Sequence, residues 1–365
     1  MTTEEKLNQA YKNFWIWFLK NERRFFKIVK SKKYIEQGFL DPILEELEKI
    51  KDGFYILTGM KSEEVVDLIF TADADLSNIV FIEELVRAAP NLENWNFEAS
   101  KPASDIEQIQ IQIEETIFNS DTLKFYPTQH QDYPDEIEIT IVYQEFEETD
   151  KGKITNGIYL FLENYLGELH FASTIDVLNI ESKKETANQE LIPIEKLKSY
   201  LIWREKEYQE KYGEIVEIIK NNDQQKSYSL LKGELPNGKA LLAIINKTLL
   251  HWNNKSSCPY ITALNINYEK INGFLSNGFP KSEIADRLEE LEDNILNKLK
   301  NSKAYLSIGR ETANNHRKIY FASTDFRFIS KVMFDIQQKY IDVFEIDYEI
   351  YKDKYWQSFE RFMVE

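Results

Sequence analysis

The sequence predicts an α+β protein with two domains. Hydrophobic residues make up 42% of its 365 residues, which is enough for two well-packed cores. Apolar residues recur at helical spacing in some segments and alternate in others, so helices and strands are both expected. The polar segment 221–226 carries no core residue, and we place a linker there between domains spanning 1–220 and 227–365.

The N-terminal domain is predicted to open with a helical hairpin made of Glu4–Val29 and Ile35–Ile50. In the first helix, large apolar residues at spacings of three and four form one broad face. That face comprises Tyr11, Phe14, Trp15, Phe18, Leu19, Phe25, Phe26 and Val29. It could bind a membrane surface or a partner, but packing within its own domain is the favoured interpretation, because the second helix follows at once.

Two ββαβ repeats are predicted after the hairpin, and they suggest a mainly antiparallel sheet with helices on one face. The first comprises Phe54–Thr58, Val65–Ala72, Ser77–Ala88 and Asn94–Ala99. The second comprises Leu123–Tyr126, Glu136–Tyr143, Ile154–Leu166 and a strand over Glu168–Val177. Asp105–Asn119 between the repeats is ambiguous between helix and strand, and Leu191–Lys220 is predicted to be mostly helical.

The C-terminal domain is predicted to contain strand, helix, strand, strand, helix and strand. The segments are Tyr260–Tyr268, Lys281–Lys300, Ala304–Gly309, Arg317–Ala322, Asp325–Tyr340 and Val343–Ile350. This βαββαβ order is that of the ferredoxin-like split motif. A hairpin of Ser227–Leu235 and Lys239–Ile245, with a Pro-Asn-Gly turn between them, is expected to extend the same sheet.

The net charge of −17 is concentrated in the N-terminal part. Residues 227–365 hold 19 Lys and Arg against 18 Asp and Glu, which leaves a net charge of −18 on the first 226 residues. An acidic surface repels phosphate backbones, so we expect no nucleic acid on the N-terminal domain, whereas a basic protein partner would suit it. With one cysteine and no signal-peptide or membrane-spanning pattern, we expect a cytoplasmic protein.

Familiar catalytic and cofactor motifs are absent from the sequence. It contains no Walker A loop, GxGxxG, GxSxG or HExxH, and we predict no cofactor and no metal site. The segment Thr71–Asn78 has too few oxygen ligands for a calcium loop, so Asp75 or Ser77 is expected to cap the next helix. We expect Cys258 to be a buried or bystander thiol, and the alternative is a catalytic pair with a distant histidine.

The strongest candidate site is the predicted hairpin Gly309–Phe321. It brings Arg310, Glu311, His316, Arg317 and Lys318 around one hairpin, and the first four are the candidate ligand or partner residues. Arg310 and Arg317 are expected to lie near each other across the strand pair, where they could bind a carboxylate or a phosphate. The alternative is a solvated hairpin whose two asparagines, Asn314 and Asn315, form a turn that requires positive φ.

Several segments of the C-terminal third resemble an uncharacterised bacterial family, a domain of unknown function. They are GFP at Gly278–Pro280, LEELEDNI at Leu288–Ile295, GRET at Gly309–Thr312, RKIYF at Arg317–Phe321 and the closing YWQSFERFM. Proteins of that family are sometimes linked with domains like ribonuclease E inhibitor B, which are ferredoxin-like and acidic, and this implies inhibitor or adaptor work. The N-terminal two thirds, through NFWIWFLKNERRFF and PDEIEITIVY, resembles uncharacterised Bacteroidetes proteins, which implies no activity.

The sequence alone names no reaction. It favours a non-catalytic protein that binds another protein as an adaptor, an inhibitor or an immunity protein, because these roles need a charged complementary face and no catalytic residue. The alternatives are a hydrolase, or a small-ligand protein in which Arg310 and Arg317 bind phosphate or carboxylate. A buried cleft that joins His316 or His170 to converging carboxylates would favour the hydrolase.

Overall fold

A computed structural model describes residues 1–144, 146, 148–183, 186, 189–212, 227–300 and 305–363. The chain divides into two compact units, Met1–Glu207 and Tyr208–Glu365. The predicted linker 221–226 lies outside the described residues. The predicted mixture of helices and strands is confirmed in both units.

The first unit opens with α1 (Thr3–Ser31), followed by α2 (Asp41–Glu48). A capping box, in which Thr2 and Glu5 each accept the other's backbone N–H, starts α1. The predicted aromatic face packs inside the unit: the Trp15 ring centroid lies 4.7 Å from that of Phe97, edge to face. Leu19 is the exception, with 47% of its surface exposed. Most of this face is therefore core.

The first unit contains two principal sheets where one was predicted. The first sheet joins β1 (Tyr55–Met60), β2 (Val66–Thr71) and β3 (Trp95–Ala99), with α3 (Leu76–Arg87) between β2 and β3. The second joins β6 (Leu123–Thr128), β7 (Glu138–Tyr143), β8 (Val177–Ser182) and β9 (Ile192–Pro193) in the order β8-β7-β6-β9, with α4 (Lys151–Leu166) after β7. In each, the strands that flank the helix are parallel, because a helical crossover returns the chain in the same direction.

In this unit the structure decides one segment that the sequence left ambiguous and contradicts the prediction for another. The ambiguous segment forms a small hairpin of β4 (Ile111–Ile113) and β5 (Thr116–Phe118). The prediction of a strand over Glu168–Val177 is wrong, since α5 (Glu168–Thr174) occupies most of it. Gly167, at φ 84°, ends α4, and the buried Glu168 carboxylate then accepts hydrogen bonds from the backbone N–H groups of Ala72, Ala74 and Lys101, which are distant in sequence. The helix α6 (Leu197–Tyr212) follows β9.

The second unit is built on one six-stranded sheet. Its strands are β10 (Tyr228–Glu234), β11 (Ala240–Asn246), β12 (Tyr260–Asn267), β13 (Tyr305–Ala313), β14 (His316–Ser323) and β15 (Glu345–Lys352). They are ordered β10-β11-β13-β14-β12-β15, and every neighbouring pair is antiparallel. The helices are the short α7 (Lys247–Leu250), α8 (Ser282–Leu299) between β12 and β13, and α9 (Phe326–Tyr340) between β14 and β15.

The two faces of this sheet are covered differently. Helices α8 and α9 lie together on one face, where Lys298 pairs with Asp335 at 2.6 Å. The opposite face packs against the closing segment of the chain, through Trp356, Phe359 and Phe362. Cys258 belongs to that second core, and burial raises the pKa of its thiol to about 12. The expectation of a buried thiol is therefore confirmed.

Two helices are too narrow to cover six strands. At about 4.8 Å per strand the sheet is about 29 Å wide, whereas two helices of about 10 Å each cover about 20 Å. Because α9 packs over β12 and β15 and α8 packs beside it, the uncovered strands are β10 and β11. The predicted hairpin extends the sheet past the helix layer and leaves a groove along the outer side of α8.

Candidate functional site

A single carboxylate on α8 connects the two arginines of the candidate hairpin. Glu292 Oε1 accepts from Arg317 at 2.8 Å, and Glu292 Oε2 accepts from Arg310. In the β13–β14 register Arg310 lies opposite Ile319 and Arg317 lies opposite Thr312, so the arginines are diagonal neighbours on the helix-covered face. The expected proximity of the two side chains is observed, and Glu292 already neutralises one of their two charges.

Arg317 is the more buried member of this triad. Its side chain is 8% exposed, and its Nε donates to Thr312 Oγ1 at 3.3 Å. Burial lowers the pKa of its guanidinium, while the nearby Glu292 opposes that shift. A buried cation is tolerated only when it is paired and hydrogen-bonded, and here both conditions are met. Arg317 is thus held in place by buried contacts, whereas the Arg310 side chain is 24% exposed.

Gly309 sets the position of Arg310. The β13–β14 register shifts between Ser307 and Gly309, which is a β-bulge. A Cβ on Gly309 would lie 2.3 Å from the carbonyl oxygen of Ile244 on β11, so only glycine permits this approach of the two strands. The bulge and the close strand contact together aim Arg310 towards α8.

The other two candidate residues point away from this triad. Glu311 lies on the opposite face of the sheet, where its Oε1 accepts from Tyr320 Oη at 2.5 Å and from Arg361 at 3.0 Å. His316 sits at the turn, with Nδ1 2.8 Å from the carbonyl oxygen of Asn314. The four predicted residues are therefore divided among three places. Asn314 and Asn315 do adopt the predicted positive φ, at 49° and 67°.

The groove beside α8 has a volume of about 370 Å³. Its lining comprises Tyr228, Ile244, Glu289, Glu292, Asp293, Leu296, Ser307, Gly309, Arg310 and Ile319. The floor comprises Tyr228 and Ile244 of the uncovered strands and Ser307, Gly309 and Ile319 of β13 and β14. The α8 wall carries three carboxylates on one helical face, at positions i, i+3 and i+4. Arg310 is the only cation among these lining residues, and it is paired with Glu292.

Two of the three carboxylates have no ion pair in the part of the chain that the structure describes. They are Glu289 and Asp293, which are exposed and stand one helical turn apart. With three carboxylates and one guanidinium, the groove lining has a formal charge of −2. Its electrostatics therefore favour a cation and disfavour a phosphate or a carboxylate.

Other polar groups singled out in the sequence have structural partners. Asp75 caps α3 by accepting from the Ser77 N–H at 2.9 Å, which confirms the capping prediction. His170 is paired with Glu205 at 3.1 Å, outside the groove. Within the described ranges, no group of three or more His, Cys, Asp and Glu is arranged to hold a metal ion. None of the helices described combines the length and apolar character needed to cross a bilayer.

The triad and the carboxylate wall fall in the part of the chain that matches a known family. Residues 236–364 match DUF695, a family of unknown function. The DUF695 segment contains Glu289, Glu292 and Asp293 and both arginines, but β10 precedes it. The searches of curated proteins and of solved structures returned no match. The match agrees with the predicted likeness to a domain of unknown function, while the resemblance of the N-terminal part stays a prediction.

Sequence reasoning did not find the residues of α8. The spacing of Glu289, Glu292 and Asp293 places them on one side of a helix, and this was visible in the sequence. What the spacing could not supply is which strands that side would face, because the sheet order decides it. Tyr228 was missed for the same reason.

Proposed function

We propose that the protein is a non-catalytic binding protein whose second unit accepts a cationic side chain of a protein partner in the groove beside α8. Adaptor, inhibitor and immunity roles all use such a surface. The observation that carries the proposal is the carboxylate pair Glu289 and Asp293, which has no ion pair among the described residues and borders a groove that Tyr228 and Ile244 also line. A lysine or arginine side chain matches both parts, since its stem is apolar and its end is charged.

The size of the groove supports a side chain or a small ligand. Ligand sites span roughly 300 to 1,000 Å³, and the volume of about 370 Å³ lies at the lower end of that range. Among the described residues that line the groove there is no histidine, which is the commonest general base, to activate Ser307. The lining thus supports binding better than hydrolysis.

The alternative is that Arg310 and Arg317 bind a phosphate or carboxylate. Glu292 is paired with both guanidinium groups, so an external anion would have to displace it. The anion would also be repelled by Glu289 and Asp293 on the same helix. Electrostatic complementarity mainly governs specificity and association rate, and here it opposes an anion. The arrangement therefore supports the protein-binding proposal more strongly than the anion-binding alternative.

We further propose a bacterial, cytoplasmic setting and a ferredoxin-like assignment for the second unit. The single cysteine is a buried thiol, so the fold relies on no internal disulfide. The chain order of strands and helices and the sheet order β13-β14-β12-β15 support the ferredoxin-like assignment.

The proposal is tested with a fluorescent peptide of alternating arginine and valine, titrated with the full chain. We expect the double variant Glu289→Gln/Asp293→Asn to bind this peptide about tenfold more weakly than the wild type. The affinity of the wild type is expected to fall as salt is raised, because exposed charges are screened.

The matched control is Asp286→Asn/Glu290→Gln, which removes two charges at the same i, i+4 spacing on α8 without touching the groove lining. It separates a site from the general attraction of an acidic protein for a cationic peptide. Equal losses in the two double variants, or no loss in either, would contradict the proposal.

A further inference from the structure

The edge strand β10 presents an unused row of backbone hydrogen-bonding groups beside the groove. The outermost bonds of its hairpin join the Leu235 N–H to Lys239 O and the Lys247 N–H to Ser227 O. The register between β10 and β11 is continuous, without a bulge. Because antiparallel bonding alternates along a strand, the odd-numbered residues of β10 bond to β11.

The even-numbered residues of β10 therefore direct their N–H and C=O groups away from the sheet. They are Tyr228, Leu230, Lys232 and Glu234. In the described part of the chain β10 is an edge strand, with β11 as its only neighbour. Such a row is a template on which another strand can pair.

The two edges of this sheet are protected to different degrees. On β15, at the opposite edge, the exposed positions Glu345, Asp347 and Glu349 are all acidic, which is a common defence against strand pairing. On β10 the corresponding positions include Tyr228, 45% exposed, and Leu230, 58% exposed. The exposed positions of β15 are thus all acidic, whereas the outward positions of β10 are two apolar residues followed by the charged Lys232 and Glu234.

The apolar positions of this edge lie on the groove side of the sheet. Tyr228 lines the groove, and Leu230 pairs directly with Ile244, another lining residue. Side chains of directly paired residues share one face, so Leu230 borders the same groove. A strand added to β10 would therefore place alternate side chains beside the carboxylate wall of α8.

We propose that the partner binds as an extended basic segment that adds a seventh strand to the β10 edge and inserts a cationic side chain between Glu289 and Asp293. Main-chain bonds to Tyr228, Leu230 and Lys232 would supply affinity, and the carboxylates of the groove would select a cationic side chain. Charge complementarity selects this occupant, because the groove lining is acidic. This inference rests on the proposed function and specifies how the partner reaches the same site.

The first test uses the alternating arginine–valine peptide in two N-methylated forms, with methyl groups on either the odd or the even amides. An added strand directs only one of these sets towards β10. We expect one form to bind at least about tenfold more weakly than the parent peptide and the other to bind nearly as well, because each lost main-chain bond weakens binding. Equal effects in the two forms would overturn the proposal.

The second test uses the protein. Leu230→Pro removes an outward N–H that β11 does not use, whereas Leu230→Ala keeps that N–H and removes only the side chain. We expect Leu230→Pro to weaken peptide binding at least about tenfold and Leu230→Ala to weaken it about threefold or less. Circular dichroism and thermal unfolding check that both variants fold.

A variant-free measurement covers the case in which Leu230→Pro does not fold. Hydrogen exchange of the wild type should show slow amides at Ser229 and Leu231 at all times, and should show Leu230 and Lys232 slowing only with bound peptide. Unchanged exchange at Leu230 and Lys232 with saturating peptide would overturn the strand-addition proposal.

The outcomes separate the two proposals. Binding that depends on Glu289 and Asp293 but not on the β10 edge would leave the proposed function standing and overturn strand addition. Binding that depends on neither would overturn both. Sedimentation could also show that the wild type is a dimer and that Leu230→Pro dissociates it. That result would mean that a second copy of the chain pairs with β10, and it would also overturn this inference.

Discussion

Glu292 connects helix α8 to the sheet through the two arginines of the candidate hairpin. It joins a buried guanidinium, Arg317, to the partly exposed Arg310, and it does so from a different element of secondary structure. The triad keeps one net positive charge, but Glu289 and Asp293 surround it with negative charge. The two arginines therefore stabilise the position of α8 and leave the neighbouring carboxylates to define the groove.

We predict that removing Glu292 destabilises the protein more than removing Arg317. Glu292→Ala leaves a buried cation without its partner, which costs about 3 kcal/mol or more, whereas Arg317→Met replaces the cation with an apolar chain of similar length and costs less. Urea unfolding of both single variants and the double variant measures the coupling between the two residues. A loss below about 1 kcal/mol for Glu292→Ala would contradict this account.

Cys258 is predicted to be unreactive in the folded protein. Burial raises the pKa of its thiol to about 12, so at pH 8 the thiolate that attacks a disulfide reagent is almost absent. Ellman's reagent should give no rapid release of thionitrobenzoate from the native protein at pH 8, and one equivalent in 6 M guanidinium. Because the pKa of this thiol is higher in the folded than in the unfolded protein, its contribution to the free energy of unfolding is fully present below the pKa of the unfolded state. That contribution should be lost as the pH rises from there through the pKa of the folded state. Rapid labelling of the native protein at pH 8 would contradict this prediction.

Some single residues could be assigned from the sequence because their role is local. Asp75 precedes a helix, and Asn314 and Asn315 occupy a turn, so nearest neighbours decide what they do. Glu311 and Arg310 could not be separated in this way, because adjacent residues of a strand face opposite sides and only the packing shows what each side meets. Glu292 lies 18 residues from Arg310 and 25 from Arg317, which no local pattern links.

The bulge in β13 is the element-scale feature that positions Arg310. We predict that Gly309→Ala lowers the free energy of unfolding by about 2 kcal/mol or more, because the added Cβ would meet the Ile244 carbonyl oxygen and separate β11 from β13. Gly233→Ala is the control, since its Cβ would come no closer than 3.6 Å, to Leu241. Chemical denaturation of the two variants tests this prediction, and equal stabilities would contradict it.

Helix α5 exists where a strand was predicted, and Glu168 is the reason. We predict that Glu168→Ala destabilises the first unit by about 3 kcal/mol, because the N–H groups of Ala72, Ala74 and Lys101 lose a buried acceptor. Glu168→Gln should cost about half as much, since one amide oxygen can still accept. Thermal and urea unfolding measure both variants. A wild-type-like Glu168→Ala protein would contradict the structural role of this carboxylate.

Most elements of the chain could be predicted from periodicity, including the long helices α8 and α9 and all six strands of the second unit's sheet. Two predictions for the first unit were wrong because they depend on contacts between residues distant in sequence. The segment after Gly167 alternates like a strand, but the buried contacts of Glu168 come from residues almost a hundred positions earlier. The division of the first unit into two sheets depends on strand pairing between distant segments, which the alternation within each strand does not encode.

For the whole second unit, the groove follows from the mismatch between six strands and two helices. The sequence predicted the extra hairpin, but it could not predict the side to which it would add. Placement beside β13 brings β10 and β11 next to the carboxylate face of α8; placement beside β15 would not have done so. The candidate binding site is thus a property of the sheet order and of three carboxylates whose spacing alone was visible.

The most direct test of this account is a thermodynamic cycle in which the charge of the peptide and the charge of the groove are removed separately and together. The arginine–valine peptide is compared with the same peptide carrying citrulline, which is an uncharged analogue of arginine, on the wild type and on Glu289→Gln/Asp293→Asn. We predict that the arginine peptide binds the wild type about tenfold more tightly than the citrulline peptide, and that this ratio falls close to one in the double variant. The same ratio in both proteins would contradict the claim that the groove beside α8 recognises a cation.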